Sequence, residues 1–433
     1  MTEPRDAASL AVFRMVFGLL VAVSAVRFLV YGWVDTLFGS PFRFHYFGFS
    51  WVPSPSVEGV RVLFVALIVL GLMVAAGALY RFSIAALFVV FSWVQLLDVS
   101  NYLNHYYLVS LLALLMCFMP LNALWSVDAW LKPSIKQETL PAWCMQLLRF
   151  QVGVVYVFAA IAKFNSDWLV HGAALHLWLS ARAEWLTSDE VGWLMSWGGF
   201  LFDLSAPFFL MWKRTRGFFY LVVIGFHLTT RLLFPIGMFP FIMMFSTLIF
   251  FDPSWPRRIF KSAIPSLTPS QTPRWILAPI AVWCALQVAL PLRTFLYGGD
   301  VSWHEQGMRF SWRVMTREKN GSVTYVVRQR STGREWHVTP HQYLSGVQER
   351  ELSVQPDLIL RLGQHIGDEF HSRGITDVEV RADNLVSLNG RPAAPLVDPK
   401  VDLLTIDDSL APAKWILPAP STSPLARAMF SKR

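Results

Sequence analysis

The chain has 433 residues, of which 54% are hydrophobic and only 15% charged, with 34 Phe and 19 Trp. That balance is too apolar for an ordinary soluble globule and fits a protein solvated by lipid, its aromatic side chains supplying the two interfacial belts. The net charge of +8 does not mark a nucleic-acid binder, because the basic residues lie mostly in short links between apolar runs, where membrane topology accounts for them.

Nine apolar runs follow one another, at about 8–30, 61–79, 82–97, 105–124, 146–163, 192–212, 217–233, 237–251 and 275–294. The first is long and lacks a small-residue cleavage site, so it reads as an uncleaved anchor. Several are shorter than the roughly 20 residues that a perpendicular helix needs, which implies tilts. Tyr80-Arg81 leaves only a tight turn between the second and third runs, an antiparallel pair. The links after the even-numbered runs carry Arg81, then Lys132 and Lys136, then Lys213, Arg214 and Arg216, then Arg257, Arg258, Lys261 and Arg274. The alternate links are poorer in Lys and Arg, so the basic set is expected in the cytoplasm. The N-terminus is then cytoplasmic, and everything beyond the last run lies outside an inner (plasma) membrane. Cys117, Cys144 and Cys284 sit in or beside apolar runs and show neither metal-ligand spacing nor a disulfide framework.

Beyond about residue 295 the composition becomes that of a soluble domain. VTYVVRQR and REWHVTP flank Ser331-Thr332-Gly333, a hairpin pattern. Residues 356–372 have the apolar spacing of an amphipathic helix that stops at Gly374. VEVRA and LVSL read as two further strands, with Asn389-Gly390 as a turn. The expected fold class is a polytopic α-helical membrane protein of about nine transmembrane helices (1–294), followed by a small extracytoplasmic α+β domain (295–410). The stretch 411–433, rich in Pro, Ala and Ser, reads as a loosely ordered tail.

Four features fall at the outer face. The segment VVYVFAAIAKFNSDW (154–168) is an apolar helix with a lone cation, Lys163, at its outer end. Such a lysine either snorkels to the interface or is held there for chemistry. Asn104-His105 opens the fourth run, 234–239 turns between the seventh and eighth, and SWHEQGMRFSWRVM (302–315) begins the outer domain. A lysine base, a histidine and a covering domain make a reaction chamber. Each also has a plainer reading: His105 as an interfacial residue bonded to a neighbouring helix, His227 as a packed and satisfied histidine, and the 234–239 turn as a simple helix break. HExxH, GxSxG, the P-loop and a strand-borne GxGxxG are all missing from the sequence, so conventional hydrolase, kinase or dehydrogenase chemistry has no support.

In order along the chain, FRMVFGLL (13–20), GALYRFS (77–83), LNHYYL (103–108), WSVDAW (125–130), LLRFQVGVVYVFAAIAKFNSDW (147–168), FHLTTRLLFPIGMFPFIM (226–243) and DPSWPRR (252–258) carry a resemblance. It continues through FSWRVM (310–315), RQRSTGRE (328–335) and VDPKVDL (397–403). The set resembles the vitamin K-dependent γ-glutamyl carboxylases and their bacterial relatives with the HTTM membrane domain. By that resemblance Lys163 occupies the position of the family's catalytic base. Asn104 and His105 occupy the Asn-His-x-Tyr-Leu position, where the family has a histidine needed for catalysis. The glutamate-contacting region is similar to 308–317, with Arg309, Trp312 and Met315 as its contributors; His304-Glu305-Gln306 departs from the animal sequence. The chain also has no cysteine pair matching the animal enzymes' bridge, so propeptide docking of their kind is not expected.

The implied reaction consumes reduced vitamin K or menaquinol, O2 and CO2, with no metal. A base deprotonates the hydroquinone; its oxygenation yields a strong base and finally the 2,3-epoxide, and a glutamate of a protein or peptide substrate loses its γ-proton and captures CO2. The lysine has to be uncharged for this, which burial among Phe158, Ile161 and Phe164 is expected to favour by desolvation. A prenylated quinol arriving from membrane lipid suits a site at a helix end, although its binding residues are not legible. Two other readings stand beside this one: a quinol epoxidase or oxidase whose carboxylation step is lost or changed, and a non-catalytic membrane binding protein.

Overall fold

The computed structural model describes residues 1–182, 188–267 and 273–424. Each apolar run contains a helix: α1 (Ala8–Val30), α2 (Val57–Ala76), α3 (Tyr80–Leu96), α4 (Asn104–Cys117), α5 (Ala142–Lys163), α6 (Asp189–Met211), α7 (Arg216–Leu233), α8 (Phe239–Ser246, extended by a 3₁₀ turn to Phe250) and α9 (Leu277–Leu292). Among the described residues only five helices, α1, α2, α5, α6 and α9 with its 3₁₀ extension, are both long and apolar enough to cross a membrane unaided. The expected count of nine spans therefore narrows to five candidates. α3, α4 and α8 are too short, and α7 is diluted by Arg216, His227 and Arg231.

Small residues set the tightest helix pair. A Cβ added to Gly18 of α1 would stand 2.4 Å from the carbonyl oxygen of Gly71 in α2, and one on Gly71 would stand 2.8 Å from that of Gly18. Only glycine lets the two backbones approach this closely, as in small-residue packing between membrane helices. α2 ends at Gly77 (φ +65°), and the chain reverses into α3. There the Asp128 carboxylate accepts hydrogen bonds from the backbone N–H groups of Leu79 (2.7 Å) and Tyr80 (2.9 Å), satisfying donors that a helix start leaves open.

The two ends of the bundle carry different structure. At one end β1 (Pro4–Asp6) pairs antiparallel with β2 (Thr139–Pro141). Buried Arg257 clamps them, donating to Asp6 (2.6 Å), Glu138 (2.7 Å) and the Ala263 carbonyl (3.0 Å). At the other end sits the C-terminal domain, whose four-stranded antiparallel sheet has the order β4-β3-β5-β6. The strands are β3 (Lys319–Gln329), β4 (Glu335–Val338), β5 (Val378–Leu388) and β6 (Ala394–Pro395), and β3 pairs with β5 from Lys319↔Leu388 to Gln329↔Val378. Helices α10 (Gly346–Val354) and α11 (Pro356–Ser372) pack on this sheet, with Tyr325 of β3 donating its hydroxyl to the Ile359 carbonyl at 2.8 Å.

Two expectations change. VEVRA and LVSL are one strand, because Asn384 between them faces inward with its amide donating to the Ser322 and Ser353 carbonyls, so alternation survives a polar residue. The stretch from 411 is not loose where it is described. Ile416 bridges Val397, the Leu417 N–H donates to Leu396 (2.8 Å), and the Leu417 carbonyl accepts from the Trp303 indole (2.8 Å). Residues 425–433 lie outside the described residues. Nor is the C-terminal domain closed on itself. Phe44, Tyr46 and Val99 from the links of the bundle belong to its hydrophobic core, and Gln348 donates to Asp98 at 2.7 Å.

Candidate active site

α5 delivers Lys163 as its last residue, after which Asn165 starts a new turn by accepting the Trp168 N–H at 2.9 Å. The lysine does not snorkel, since its side chain is only 7% exposed. Its Nζ donates to Asp203 Oδ2 of α6 at 2.8 Å, and at 3.4 Å to the carbonyls of Ala159 and Val314. The indole of Trp168 lies 5.4 Å away. The surroundings expected from sequence are corrected here: Phe158 is buried, but Phe164 is 73% and Ile161 38% exposed, so neither encloses the amine. A carboxylate on the facing helix does. The pair can hold its proton as ammonium and carboxylate or as amine and carboxylic acid; both forms are neutral overall, and only the second presents a free amine as a proton acceptor.

Lys163 and Asp203 line a cavity of about 80 Å³, walled by aromatic and sulfur-bearing side chains. His227 and Tyr156 share this wall, with His227 Nε2 3.3 Å from the tyrosine hydroxyl. His227 is buried as expected but not satisfied, because its Nδ1 has no partner among the described residues. A second cavity, of about 500 Å³, lies alongside; His105 and Asn104 line it together with apolar residues of α1, α2 and α3. Lysine and histidine thus occupy neighbouring chambers, not one. Ile236, Phe239, Val314 and Met315 border both. A third hollow, of about 630 Å³, lies between the bundle and the C-terminal domain, lined in part by Glu318, Asn320 and Ser387. Ile236 and Met315 border all three.

The segment 308–315 is laid over the site as a strap. The Phe310 N–H donates to the Tyr102 hydroxyl (2.8 Å), Asn104 Nδ2 to the Arg313 carbonyl (3.3 Å), and Lys163 to Val314. Trp312 stacks on Tyr107 with ring centroids 4.9 Å apart. Phe310, Trp312 and Met315 all have φ between +49° and +62°, a conformation costly outside glycine that persists where surrounding contacts over-determine it. The three expected substrate contacts therefore separate. Met315 borders the lysine cavity. Trp312 is buried beneath the strap, and Arg309 donates to Asp357 (2.6 Å) and to Gln355, within the C-terminal domain. Neither Arg309 nor Trp312 borders the three hollows around Lys163. Asn104 holds the strap and accepts the Tyr102 hydroxyl at 3.0 Å. Among the described residues no cluster of His, Cys, Asp and Glu could hold a metal.

Asp203 was legible as a lone carboxylate inside an apolar run, which in a membrane helix is by itself a functional signal. Its partner was not, since 40 residues separate it from Lys163.

The assembly is a bundle of apolar helices, five of them candidate membrane spans, with a buried amine–carboxylate pair at the mouth covered by a sheet-bearing domain: a helical membrane protein. Residues 2–255 match the HTTM domain, and residues 272–422 match the vitamin K-dependent gamma-carboxylase, lumenal domain. The chain belongs to the vitamin K-dependent gamma-glutamyl carboxylase family. No solved structure matches it.

Proposed function

We propose that this protein is an integral-membrane carboxylase that couples oxygenation of a quinol to carboxylation of glutamate. The observation that carries the reading is the Lys163–Asp203 pair, buried at the edge of a cavity and able to take up one proton. The fit of the reduced naphthoquinone rests on size and polarity. The 80 Å³ hollow is smaller than ordinary ligand sites of about 300–1,000 Å³. Joined across Ile236 and Met315 to the 500 Å³ apolar chamber, it offers room for a ring at the lysine and a prenyl tail among α1, α2 and α3. On reacting with O2, the reduced quinone supplies the strong base that takes the γ-proton of glutamate.

The chain's own work is proton handling and enclosure. The Lys163–Asp203 pair accepts the hydroxyl proton, and the cation so formed stands beside the anion it creates, which limits the charge separation inside a low-dielectric site. Asn104, Tyr102 and Trp312 hold the strap that closes the cavity. His105, in the adjoining chamber with its ring 5.9 Å from that of Phe239, is assigned a polar contact to the bound quinol. Glutamate of a peptide or protein reaches the site through the 630 Å³ hollow between the domains, and Arg309 acts through its grip on Asp357 rather than by contact. That engagement also favours the second reading, an epoxidase without carboxylation, because the expected carboxylate-binding cation is already paired.

The deciding experiment incubates purified protein with vitamin K hydroquinone or menaquinol, O2, labelled bicarbonate and glutamyl peptides. Epoxide with label in the peptide is expected; epoxide without label selects the second reading, and neither product overturns both. The orientation, N-terminus in the cytoplasm and C-terminal domain outside, predicts that a periplasmic reporter is active when fused near Gly321 and inactive near Arg257.

A further inference from the structure

At the end of the bundle opposite the C-terminal domain, a cavity of about 200 Å³ has no part in the reading above. It is lined by Arg5 of β1, Arg149 of α5, and Lys213 and Arg216 at the turn between α6 and α7, with Asp252 as the single carboxylate. Four cations from three separate segments converge on one hollow. Arg5 and Arg216 stand near enough to Arg149 to act on its charge.

Part of this cluster has a structural use. Arg149 donates through Nε and Nη2 to the carbonyls of Ile249, Phe250 and Phe251, and Arg216 donates to those of Leu210 and Met211. Those contacts cap chain ends but neutralise no charge, and they leave the Nη1 group of each guanidinium without a hydrogen bond among the described residues. The Lys213 ammonium has none either. Asp252 turns Oδ1 to the Ser254 N–H (3.0 Å) and hydroxyl (2.6 Å). Arg5 is paired with Glu3 at 2.8 Å, so Arg149, Lys213 and Arg216 against Asp252 are what leave the hollow an excess of positive charge and several unused donors. Arg149 lies about 10 Å along α5 from its start, and the cavity it lines is shared with Lys213 and Arg216 of the turn between α6 and α7.

We propose that this cavity binds the phosphate of an anionic phospholipid headgroup from the leaflet opposite the C-terminal domain. Phosphate oxygens supply the acceptors that Arg149 Nη1, Arg216 Nη1 and Lys213 lack, and basic pockets between membrane helices hold such headgroups by the same chemistry.

The test uses the full chain in nanodiscs of phosphatidylcholine with a minor share of phosphatidylglycerol, and reads retained lipid by native mass spectrometry. The wild-type protein retains phosphatidylglycerol selectively. The double variant Arg5→Ala/Lys213→Ala, which spares the two capping arginines, loses about thirtyfold of that preference, the effect of removing two surface cations. The control Lys132→Ala/Lys261→Ala removes the same charge from the same end, outside the cavity, and keeps the preference. Equal loss in both double variants, or no preference in the wild type, overturns the site in favour of diffuse surface charge. Displacement of the lipid by millimolar inorganic phosphate overturns the lipid assignment in favour of a free phosphate site.

Discussion

The two ends of the bundle each bury a cation against carboxylate, and they use the arrangement differently. At the basic end Arg257 donates to Asp6, Glu138 and Ala263 between 2.6 and 3.0 Å, with Trp125 5.8 Å away. At the outer end Lys163 makes one short bond, to Asp203, and two at 3.4 Å, with a cavity on its open side. Arginine stays charged and fits a planar array of acceptors, so it joins the N-terminal strand to the chain's later links; lysine can pass its proton to the facing carboxylate, and the neighbouring space admits a group whose proton the amine then takes. A buried ion pair by itself is thus no mark of function. The unfilled volume beside a group that can change its protonation is.

That contrast breaks most sharply at Lys163. Lys163→Ala should reduce quinol epoxide formation by about 10²–10⁴-fold, the range of a lost general base, while the protein remains extractable and folded. Lys163→Arg should restore nothing, because a guanidinium keeps its proton. Epoxide formation near the wild-type rate in the arginine variant would make the outer pair structural, like its counterpart.

At the basic end the effect should move to stability. Asp6→Ala leaves Arg257 with one carboxylate in a buried setting and should cost about 3–5 kcal/mol, measured as a fall in melting temperature and yield. Epoxide formation per folded molecule should not change. A selective loss of turnover in this variant would erase the division between the ends.

Smaller effects are expected where the outer chambers meet. Met315→Ala opens the partition between the lysine cavity and the hollow under the C-terminal domain. Water then competes with CO2 for the glutamyl carbanion, so epoxide formed per glutamate carboxylated should rise by a few-fold, about 1 kcal/mol of lost discrimination. An unchanged ratio in an active variant removes Met315 as a partition.

A pH-dependent effect concerns the seam between bundle and domain. Desolvation pushes the Asp98 carboxyl up to about 6 from its ordinary 3.8, outweighing its hydrogen bonds from Ser100 and Gln348. Between those values the folded state holds a proton that the unfolded state has released, so this group's contribution to stability falls as pH rises from 3.8 to about 6. Asp98→Asn should flatten that interval in a series of melting temperatures; a slope equal to that of the wild type would show that other groups set it.

Much of this molecule is written locally. The apolar runs, the alternation of basic links, the Ser331-Thr332-Gly333 hairpin and the helix that stops before Gly374 depend on residues a few positions apart, where periodicity and turn chemistry act. Lys163, His105 and Met315 stand out in the same way, each at the end of a run or in a marked segment. What the chain order hides is which side chains face each other. Asp203 meets Lys163 only because α6 packs along α5, and His105 parts from Lys163 because Ile236, Phe239, Val314 and Met315 stand between them. Arg309 turns to Asp357 because α11 starts beside the strap. Local pattern determines where helices begin and end and which links are basic. Only the packing of helices far apart in sequence decides whether a buried charge meets a partner, a cavity or both, since burial and Coulomb interaction depend on distance in space.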